Sequence, residues 1–218
     1  MRILILGATG RTGKLVVNEA INQGYQINVL VRNKNNFHIN ALEVTVYEGL
    51  TTNISDVTVA MQGCDAIISA LNISRTSDFP WAKLRTSKNF ISASLKVIIA
   101  IANQQNINRL ITVSAWGVAE TKAQLPFWFK WMIDHSNIKY GYQEHEKQEQ
   151  LLKNSALNWT CVRPSILTNS KNKKEVTVSF DNIPKPGLFI SRQMVAKFII
   201  DSLKNNWHIK QSPTISEK

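Results

Sequence analysis

The sequence predicts an α/β fold in which helices cover both faces of a doubly wound, mostly parallel sheet. Three observations lead to this prediction: short apolar runs alternate with helix-period segments, the first run enters a glycine-rich turn, and no linker interrupts the 218 residues. Parallel strands require crossover helices, so this alternation is typical of such sheets. We expect one domain over residues 1–218, because single α/β domains commonly reach this size.

The first strand and the turn after it organise the chain. The apolar run at residues 2–6 predicts a strand buried on both faces, and apolar residues at helical spacing follow as far as Gly24. Between them, Gly7, Gly10 and Gly13 form a GxxGxxG pattern. Glycine there permits a tight bend, a close approach of backbone to a diphosphate and close helix packing, while the helix N-terminus attracts the phosphates. The pattern favours a Rossmann-type dinucleotide site over a glycine-rich turn without a ligand.

The end of the second strand indicates which dinucleotide binds. Residues 26–31 predict that strand, and Arg32 stands where an acidic residue would accept a hydrogen bond from the ribose 2′-hydroxyl of NAD. Arg11 lies in the glycine turn and Lys34 follows the strand, and we expect no carboxylate nearby. Because a guanidinium binds phosphate in bidentate fashion, Arg11 and Arg32 predict NADP(H) rather than NAD(H). The alternative is that Arg32 is an ordinary surface residue at a strand end.

Further elements complete the predicted sheet. The periodicity predicts strands at 43–48, 65–71, 109–114 and 176–180, helices at 55–62, 81–105 and 191–204, and a short terminal strand. The carboxyl ends of parallel strands line the ligand crevice of such a sheet. We therefore expect Leu71 and Asn72 to pass under the cofactor and Ser114 to face the nicotinamide.

Charge and composition limit the function classes. A net charge of +11 suggests nucleic acid or an anionic membrane, but the basic residues are scattered, with one short cluster at Lys171, Lys173 and Lys174. We expect no nucleic-acid partner and a basic surface that also attracts an anionic cofactor. No apolar run reaches the ~18–20 residues of a membrane span, and the early core strand argues against a secretion signal. Cys64 and Cys161 fit no metal spacing, so we expect a reduced cytoplasmic protein without a metal site.

Ordered segments along almost the whole chain carry a family resemblance. They are GATGRTG at 7–13, VLVR at 29–32, GCDAII at 63–68, VSA at 113–115, NWTCVRP at 158–164 and ISRQMVA at 190–196. Together they resemble the atypical short-chain dehydrogenase/reductases, in the NAD(P)H-binding group that includes NmrA-like proteins and the biliverdin reductase B or flavin reductase type. The ordered set is far more specific than any single motif.

The resemblance implies which residues hold the cofactor. The residues that would contact the cofactor are Gly7, Thr9, Gly10, Arg11, Thr12 and Arg32, together with the turn glycine Gly13. Ser114 would lie near the nicotinamide, and Pro164 and Ser165 would close the other side of the cofactor. One departure stands out. Relatives often have Gly-Asp after the third strand, with the Asp near the adenine, whereas this chain has Gly49-Leu50.

The proton-transfer pair of standard short-chain dehydrogenases is absent from the sequence. Those enzymes place Tyr and Lys four residues apart on one helical face, so that the ammonium lowers the pKa of the phenol. Here Glu144 follows Tyr140 at that spacing, Glu146 follows Tyr142, and Lys147 comes one place too late. Alcohol-to-ketone chemistry of the standard type therefore loses its main support.

The same helix offers other candidate catalytic residues. The biliverdin reductase B type has a histidine that matches His145, which implies proton donation to a substrate, with Glu149 at i+4 orienting the ring. Tyr142 is a second candidate, and Ser114 would act at the nicotinamide end or on a substrate oxygen. The alternative is that His145 is a surface histidine paired with a helical neighbour.

Two segments would face the substrate, at about 116–142 and 169–188. The first is rich in aromatic residues around PFWFKWM at 126–132. It could form a wall whose rings stack on a planar substrate, pack onto the domain, or serve as an oligomer contact or membrane-surface helix.

The sequence thus predicts an NADP(H)-dependent oxidoreductase that transfers hydride to a small planar acceptor such as a flavin or quinone. Such acceptors demand little of the protein beyond orientation and exclusion of water, and solvent can deliver the proton. The alternative is a non-catalytic NmrA-like redox sensor that signals through a protein partner. An epimerase would need the missing Tyr–Lys pair. We expect a small-molecule substrate, no stable membrane insertion, and a monomer or homodimer.

Overall fold

A mixed sheet of eight strands forms the centre of the computed structural model, which describes residues 1–170 and 174–218. The described residues contain ten strands: β1 Arg2–Leu6, β2 Gln26–Val31, β3 Val44–Glu48, β4 Ala66–Ser69, β5 Arg109–Val113, β6 Asn158–Pro164, β7 Ile166–Thr168, β8 Val176–Ser179, β9 Phe189–Ser191 and β10 Thr214–Glu217. Eight of these strands form this sheet, and the other two, β7 and β9, pair separately. Of the predicted basic cluster, Lys171 and Lys173 lie outside the described residues, and Lys174 is exposed.

Six α-helices in the described ranges connect and cover these strands. They are α1 Arg11–Asn22, α2 Ile54–Met61, α3 Phe90–Gln104, α4 Phe127–Asp134, α5 Lys139–Lys153 and α6 Arg192–Lys204. Within the two described ranges, every helix falls short of the length and apolar character that crossing a bilayer requires.

The strand order is that of a doubly wound sheet. It runs β3-β2-β1-β4-β5-β6-β10-β8, and every described pairing in it is parallel except that of β8 with β10. A separate parallel pair joins β7 and β9. The order reverses between β1 and β4, and a ligand crevice forms at such a switch point, beyond the carboxyl ends of the strands. The predicted fold class is confirmed.

Both faces of the sheet are buried, which explains why β1 is apolar throughout. Ile3 and Ile5 join the core formed with α1 and α6, while Leu4 and Leu6 join the core formed with α2, α3 and α5. Each of these four side chains is fully buried. Burying a side chain of this size stabilises the fold by about 1.5–3 kcal/mol, so the two cores fix the position of the glycine turn that follows β1.

The predicted helix at 81–105 begins later than expected, at Phe90. The preceding residues form a loop, in which an isolated bridge joins Arg75 to Leu84 and the Thr76 amide donates to the Lys83 carbonyl at 2.9 Å. Pro80 at the centre of this loop lacks an amide hydrogen and disfavours helical geometry in the residue before it. The loop crosses the carboxyl edge of the sheet.

The aromatic segment also adopts regular structure. A 3-10 turn at Ala119–Gln124 leads into α4, and α5 follows after a short connection. Phe129 and Ile133 on the inner side of α4 pack with Trp116 and Leu125 in a small third core. Of the roles considered for this segment, packing onto the domain explains the apolar residues on the inner side of α4.

Candidate functional site

The glycine turn between β1 and α1 is closed by backbone contacts. Gly7 has a φ of +80°, and a Cβ atom on it would lie 2.7 Å from the Ala70 carbonyl oxygen. A Cβ on Gly13 would lie 2.1 Å from the Gly7 carbonyl oxygen. The Gly10 amide donates to that same carbonyl at 2.9 Å. Side chains are therefore excluded, and the backbone of the turn is open to a ligand.

The start of α1 fits a bound diphosphate. Gly10, the residue before the helix, offers no side chain to cap the first amides, and the first turn contains no acidic residue. Free amides and the positive end of the helix dipole together favour an anion. Thr9 is exposed and Thr12 is half-buried at the same place, so both hydroxyls lie within the predicted site.

Arg11 is held by a carboxylate that the sequence did not indicate. Its guanidinium donates to both oxygens of Asp78, at 2.7 Å and 2.6 Å, across 67 residues of sequence. Both side chains are more than half exposed, so the ion pair contributes little to stability and can exchange with a ligand. The hydrogen bond with Arg11 lowers the pKa of Asp78, and Arg192 and Arg75 contribute.

Arg32 is exposed at the end of β2, but the expectation that no carboxylate lies nearby is wrong. Glu48 ends β3 and pairs with Val31 in the sheet register. Its Oε2 accepts a hydrogen bond from the Lys34 amide at 2.9 Å. The sequence concealed this group because it comes from the neighbouring strand. A phosphate bound by Arg32 would therefore have one carboxylate close by.

A carboxylate also occupies the region after β3, where the Gly-Asp of relatives is missing. Asp56, at the start of α2, accepts a hydrogen bond from the Leu50 amide at 2.8 Å. A Cβ on Gly49 would lie 2.5 Å from the Asp56 carboxyl carbon. A side chain six residues beyond Leu50 thus brings an acidic group to this place.

Residues at the carboxyl end of β4 lie between the glycine turn and α5. Leu71 is buried, whereas Asn72 is exposed, and the Asn72 Oδ1 accepts from the Ile73 amide at 2.7 Å. The same oxygen lies 3.5 Å from the position of a Cβ on Gly141, near the start of α5. The structure therefore brings the ends of β1 and β4 and the first turn of α5 to one edge.

Ser114, after β5, is tied to a buried charge network. Its hydroxyl donates to Glu149 Oε1 at 2.8 Å. Arg163 binds both oxygens of that carboxylate, through Nε at 2.9 Å and through Nη2, and it binds Glu120 Oε1 at 2.6 Å. Ser114, Glu149 and Arg163 are each at most 3% exposed. Burial alone would lower the pKa of Arg163, but the hydrogen bonds with Glu149 and Glu120 raise it above its usual value.

The expected role of Glu149 beside His145 is wrong, because Ser114 and Arg163 use that carboxylate. His145 is instead buried next to Gln148, whose Nε2 lies 3.5 Å from its Nδ1, so it is not a surface histidine. Burial lowers the pKa of His145 to about 4. The Tyr142 hydroxyl donates to the Trp116 carbonyl at 3.4 Å, and burial raises its pKa.

Pro164 and Ser165 extend the crevice from the end of β6. Both are buried, and the Ser165 amide donates to the Ile215 carbonyl at 2.9 Å. Within the described ranges, the buried Ser165 Oγ has no hydrogen-bond partner. An unsatisfied buried hydroxyl is costly, so this atom fits a polar ligand group such as a carboxamide.

The sequence analysis missed two acidic residues of this site, and it also missed the arginine that pairs with Glu149. Asp78, Glu48 and Arg163 were given no role, although Arg163 lies in the NWTCVRP segment. Their partners are distant in sequence, and only the sheet and loop geometry brings them together. The prominent VRP sequence after a buried strand was the one available signal, because a buried arginine needs a buried partner.

Comparison with known proteins agrees with this architecture. The profile of the NAD(P)H-binding family matches residues 7–206. Photosystem II assembly factor Ycf39 of Trieres chinensis is 29% identical over 146 residues, covering 64% of this chain. The match covers only 44% of Ycf39, less than half of its length.

Solved structures show the same fold. A short-chain dehydrogenase/reductase of Veillonella parvula in complex with NADP is 23% identical, with a TM-score of 0.80, over 99% of this chain and 94% of that one. ChuY, an anaerobillin reductase of Escherichia coli O157:H7, is 18% identical, with a TM-score of 0.81, over 100% and 97% of the two chains. The family profile covers most of the sequence, and the glycine turn and helix start fit its ligand. The chain therefore belongs to the NAD(P)H-binding family.

Proposed function

We propose that the chain is an NADP(H)-dependent reductase that transfers a hydride to a small planar acceptor, such as a flavin or quinone. The observation that carries this proposal is that the candidate proton donors around Ser114 are all constrained. The Ser114 proton is donated to Glu149, His145 is neutral at pH 7, and the Tyr142 phenol has a raised pKa. An acceptor that stabilises its own negative charge after hydride addition does not require an acid from the enzyme.

The glycine turn would hold the cofactor diphosphate against the amides of α1. We assign the 2′-phosphate to Arg32, with Arg11 available once it exchanges Asp78 for phosphate. Arginine suits this task because its planar donors match phosphate oxygens. NADP(H) supplies the hydride when it is bound, and the chain supplies orientation and exclusion of water. The bound NADP in the Veillonella parvula structure supports this assignment.

Ser114 would accept a hydrogen bond from the ligand instead of donating one. A serine hydroxyl has one proton and two lone pairs, and here the proton is directed to a buried carboxylate that is also paired with Arg163. The group facing Ser114 should therefore carry an N–H or O–H, as the nicotinamide carboxamide does. Pro164 and Ser165 would close the opposite side, and Leu71 and Asn72 would pass under the cofactor.

We assign the substrate side, in one domain, to the inner part of 116–142 and to 169–188, of which residues 171–173 lie outside the described ranges. Trp116 and Tyr142 lie close to the Ser114 end of β5, which supports the assignment of the first segment. We further propose that the protein works in the cytoplasm, as a monomer or homodimer.

A dinucleotide-binding sensor without turnover is the second candidate. The same constrained donors favour it, because they leave the chain no acid for catalysis. The matched relative Ycf39 is described as an assembly factor, which also favours a binding role. In that case NADPH would bind but would not be consumed.

The test is NADPH consumption with FMN, menadione and biliverdin as acceptors, measured between pH 6 and pH 8. We expect turnover with at least one acceptor, and a rate that varies little with pH over this range. Ser114→Ala should slow turnover more than it weakens NADPH binding, whereas Ser202→Ala, which alters a buried serine at the far end of α6, should leave both unchanged. Binding without consumption of any acceptor would favour the sensor instead.

A further inference from the structure

Five large aromatic side chains remain exposed on one part of the surface. Phe127, Trp128 and Trp131 project from α4, and Phe79 and Trp81 from the loop before α3, with exposed fractions between 45% and 82%. We call these five residues the aromatic surface. A monomeric protein rarely exposes such a set without a function, because each ring costs free energy in water.

The aromatic surface is one continuous and ordered patch. The Trp81 indole donates to the His135 carbonyl at 2.8 Å, and the Trp131 ring stacks on the His135 ring with centroids 5.0 Å apart. The rings of Phe79 and Trp81 lie 5.3 Å apart. Phe127 and Trp131 are four residues apart, and therefore share one side of α4. The patch is thus held in place by the protein itself.

The inner side of α4 is already buried in the third core, and Phe127, Trp128 and Trp131 lie outside that core. Phe129 and Ile133 fill the third core, and each is less than 10% exposed. The helix therefore has an apolar side toward the domain and an aromatic side toward solvent. Apolar residues on both of these sides of a short surface helix indicate a second partner.

The charges around the patch favour an anionic partner. Asp134 is paired with Lys122 at 2.5 Å, and Asp78 is paired with Arg11. Lys130 lies half-buried within α4, where its Nζ donates to the Ala123 carbonyl at 2.9 Å, and the loop that carries Phe79 and Trp81 also carries exposed cations: Lys83, Arg85 and Lys88. With a net charge of +11, a second copy of the chain is disfavoured as the partner of this surface.

We propose that the aromatic surface docks the protein on an anionic membrane, with α4 lying in the headgroup region. Tryptophan and phenylalanine suit that region because their rings enter the apolar boundary while the indole N–H stays near water. The cations would contact lipid phosphates, each contributing favourably near a negative leaflet. With eight residues, α4 rests on the bilayer and does not cross it. The inference goes beyond the reductase proposal and does not depend on it.

The test is flotation with vesicles of phosphatidylcholine alone or with phosphatidylglycerol added, at low and high salt, without NADPH or acceptor. Wild-type protein should float with the anionic vesicles, and salt should weaken binding. Trp128→Ser combined with Trp131→Ser should lower the partition coefficient at least about tenfold. Trp207→Ser removes an equally exposed tryptophan outside the patch and should bind as wild type.

Two further measurements distinguish membrane docking from a loss of folding and from self-association of the chain. Lys83→Glu keeps the aromatic residues and reverses an exposed charge of the loop that carries them, so it should weaken anionic binding roughly tenfold, with an unchanged melting temperature. The inference is overturned if wild-type protein ignores anionic vesicles, or if the double variant floats as wild type does. It is also overturned if the patch instead joins two copies, which sedimentation would show as a wild-type dimer that the double variant lacks.

Discussion

Gly13→Ala tests the geometry on which cofactor binding depends. Its new Cβ would lie 2.1 Å from the Gly7 carbonyl oxygen, well inside the 3.4 Å at which ordinary contact begins, so α1 must move by about 1 Å. Overpacking of this kind costs about 1–3 kcal/mol of stability. The amides of α1 would also leave the diphosphate, and losing one charge-assisted hydrogen bond worth about 1.5–3 kcal/mol weakens binding about 10-fold to 150-fold.

Gly24→Ala separates the two effects. Gly24 has a φ of +78°, so alanine there is strained by about 1–2 kcal/mol, but no atom lies within 4 Å of the new Cβ. Both variants should therefore lose similar stability in urea unfolding, while only Gly13→Ala loses NADPH affinity in calorimetric titration. Equal NADPH affinity in the two variants would refute the assignment of the phosphate site to this turn.

Three further predictions concern the charged groups of the site. Asp78→Asn should free Arg11 and tighten NADPH binding by about 2-fold to 5-fold, which fluorescence titration would show, because an exposed ion pair is easily replaced. Glu149→Gln should cost about 3–5 kcal/mol in urea unfolding by leaving Arg163 buried without its main partner, and a loss below about 1 kcal/mol would contradict this. The pKa of His145 falls from 6.5 to about 4 on burial, so the unfolded chain binds more protons than the folded chain between those pH values. The free energy of unfolding should therefore drop by up to about 3 kcal/mol as the pH falls from about 6.5 to about 4. His145→Gln should remove this dependence on pH.

The strands were predictable because a strand that is buried on both faces appears in the sequence as a continuous apolar run. Arg2–Leu6 and Gln26–Val31 are observed with the bounds that their apolar runs predicted. The three-residue strands β7 and β9 were missed, since such short segments show no periodicity. The helix predicted from Trp81 starts at Phe90, because proline and loop contacts outweigh the helical spacing there.

The charged partners of the site were not predictable, for a different physical reason. Ser114 and Glu149 lie 35 residues apart, and Arg11 and Asp78 lie 67 apart, so their contacts depend on how elements pack. Glu149 was instead expected to pair with His145, because helical spacing alone placed them together. The competing partner, Arg163, comes from β6 and is visible only once α5 is seen against the sheet.

The most direct test of the account is calorimetric titration of the apoprotein with NADPH and NADH, for wild type and Arg32→Asp. We predict saturable binding of both nucleotides to wild type, with NADPH at least about tenfold tighter, and loss of that preference in Arg32→Asp. Absence of saturable binding at millimolar nucleotide, or an unchanged NADPH affinity in Arg32→Asp, would contradict the account.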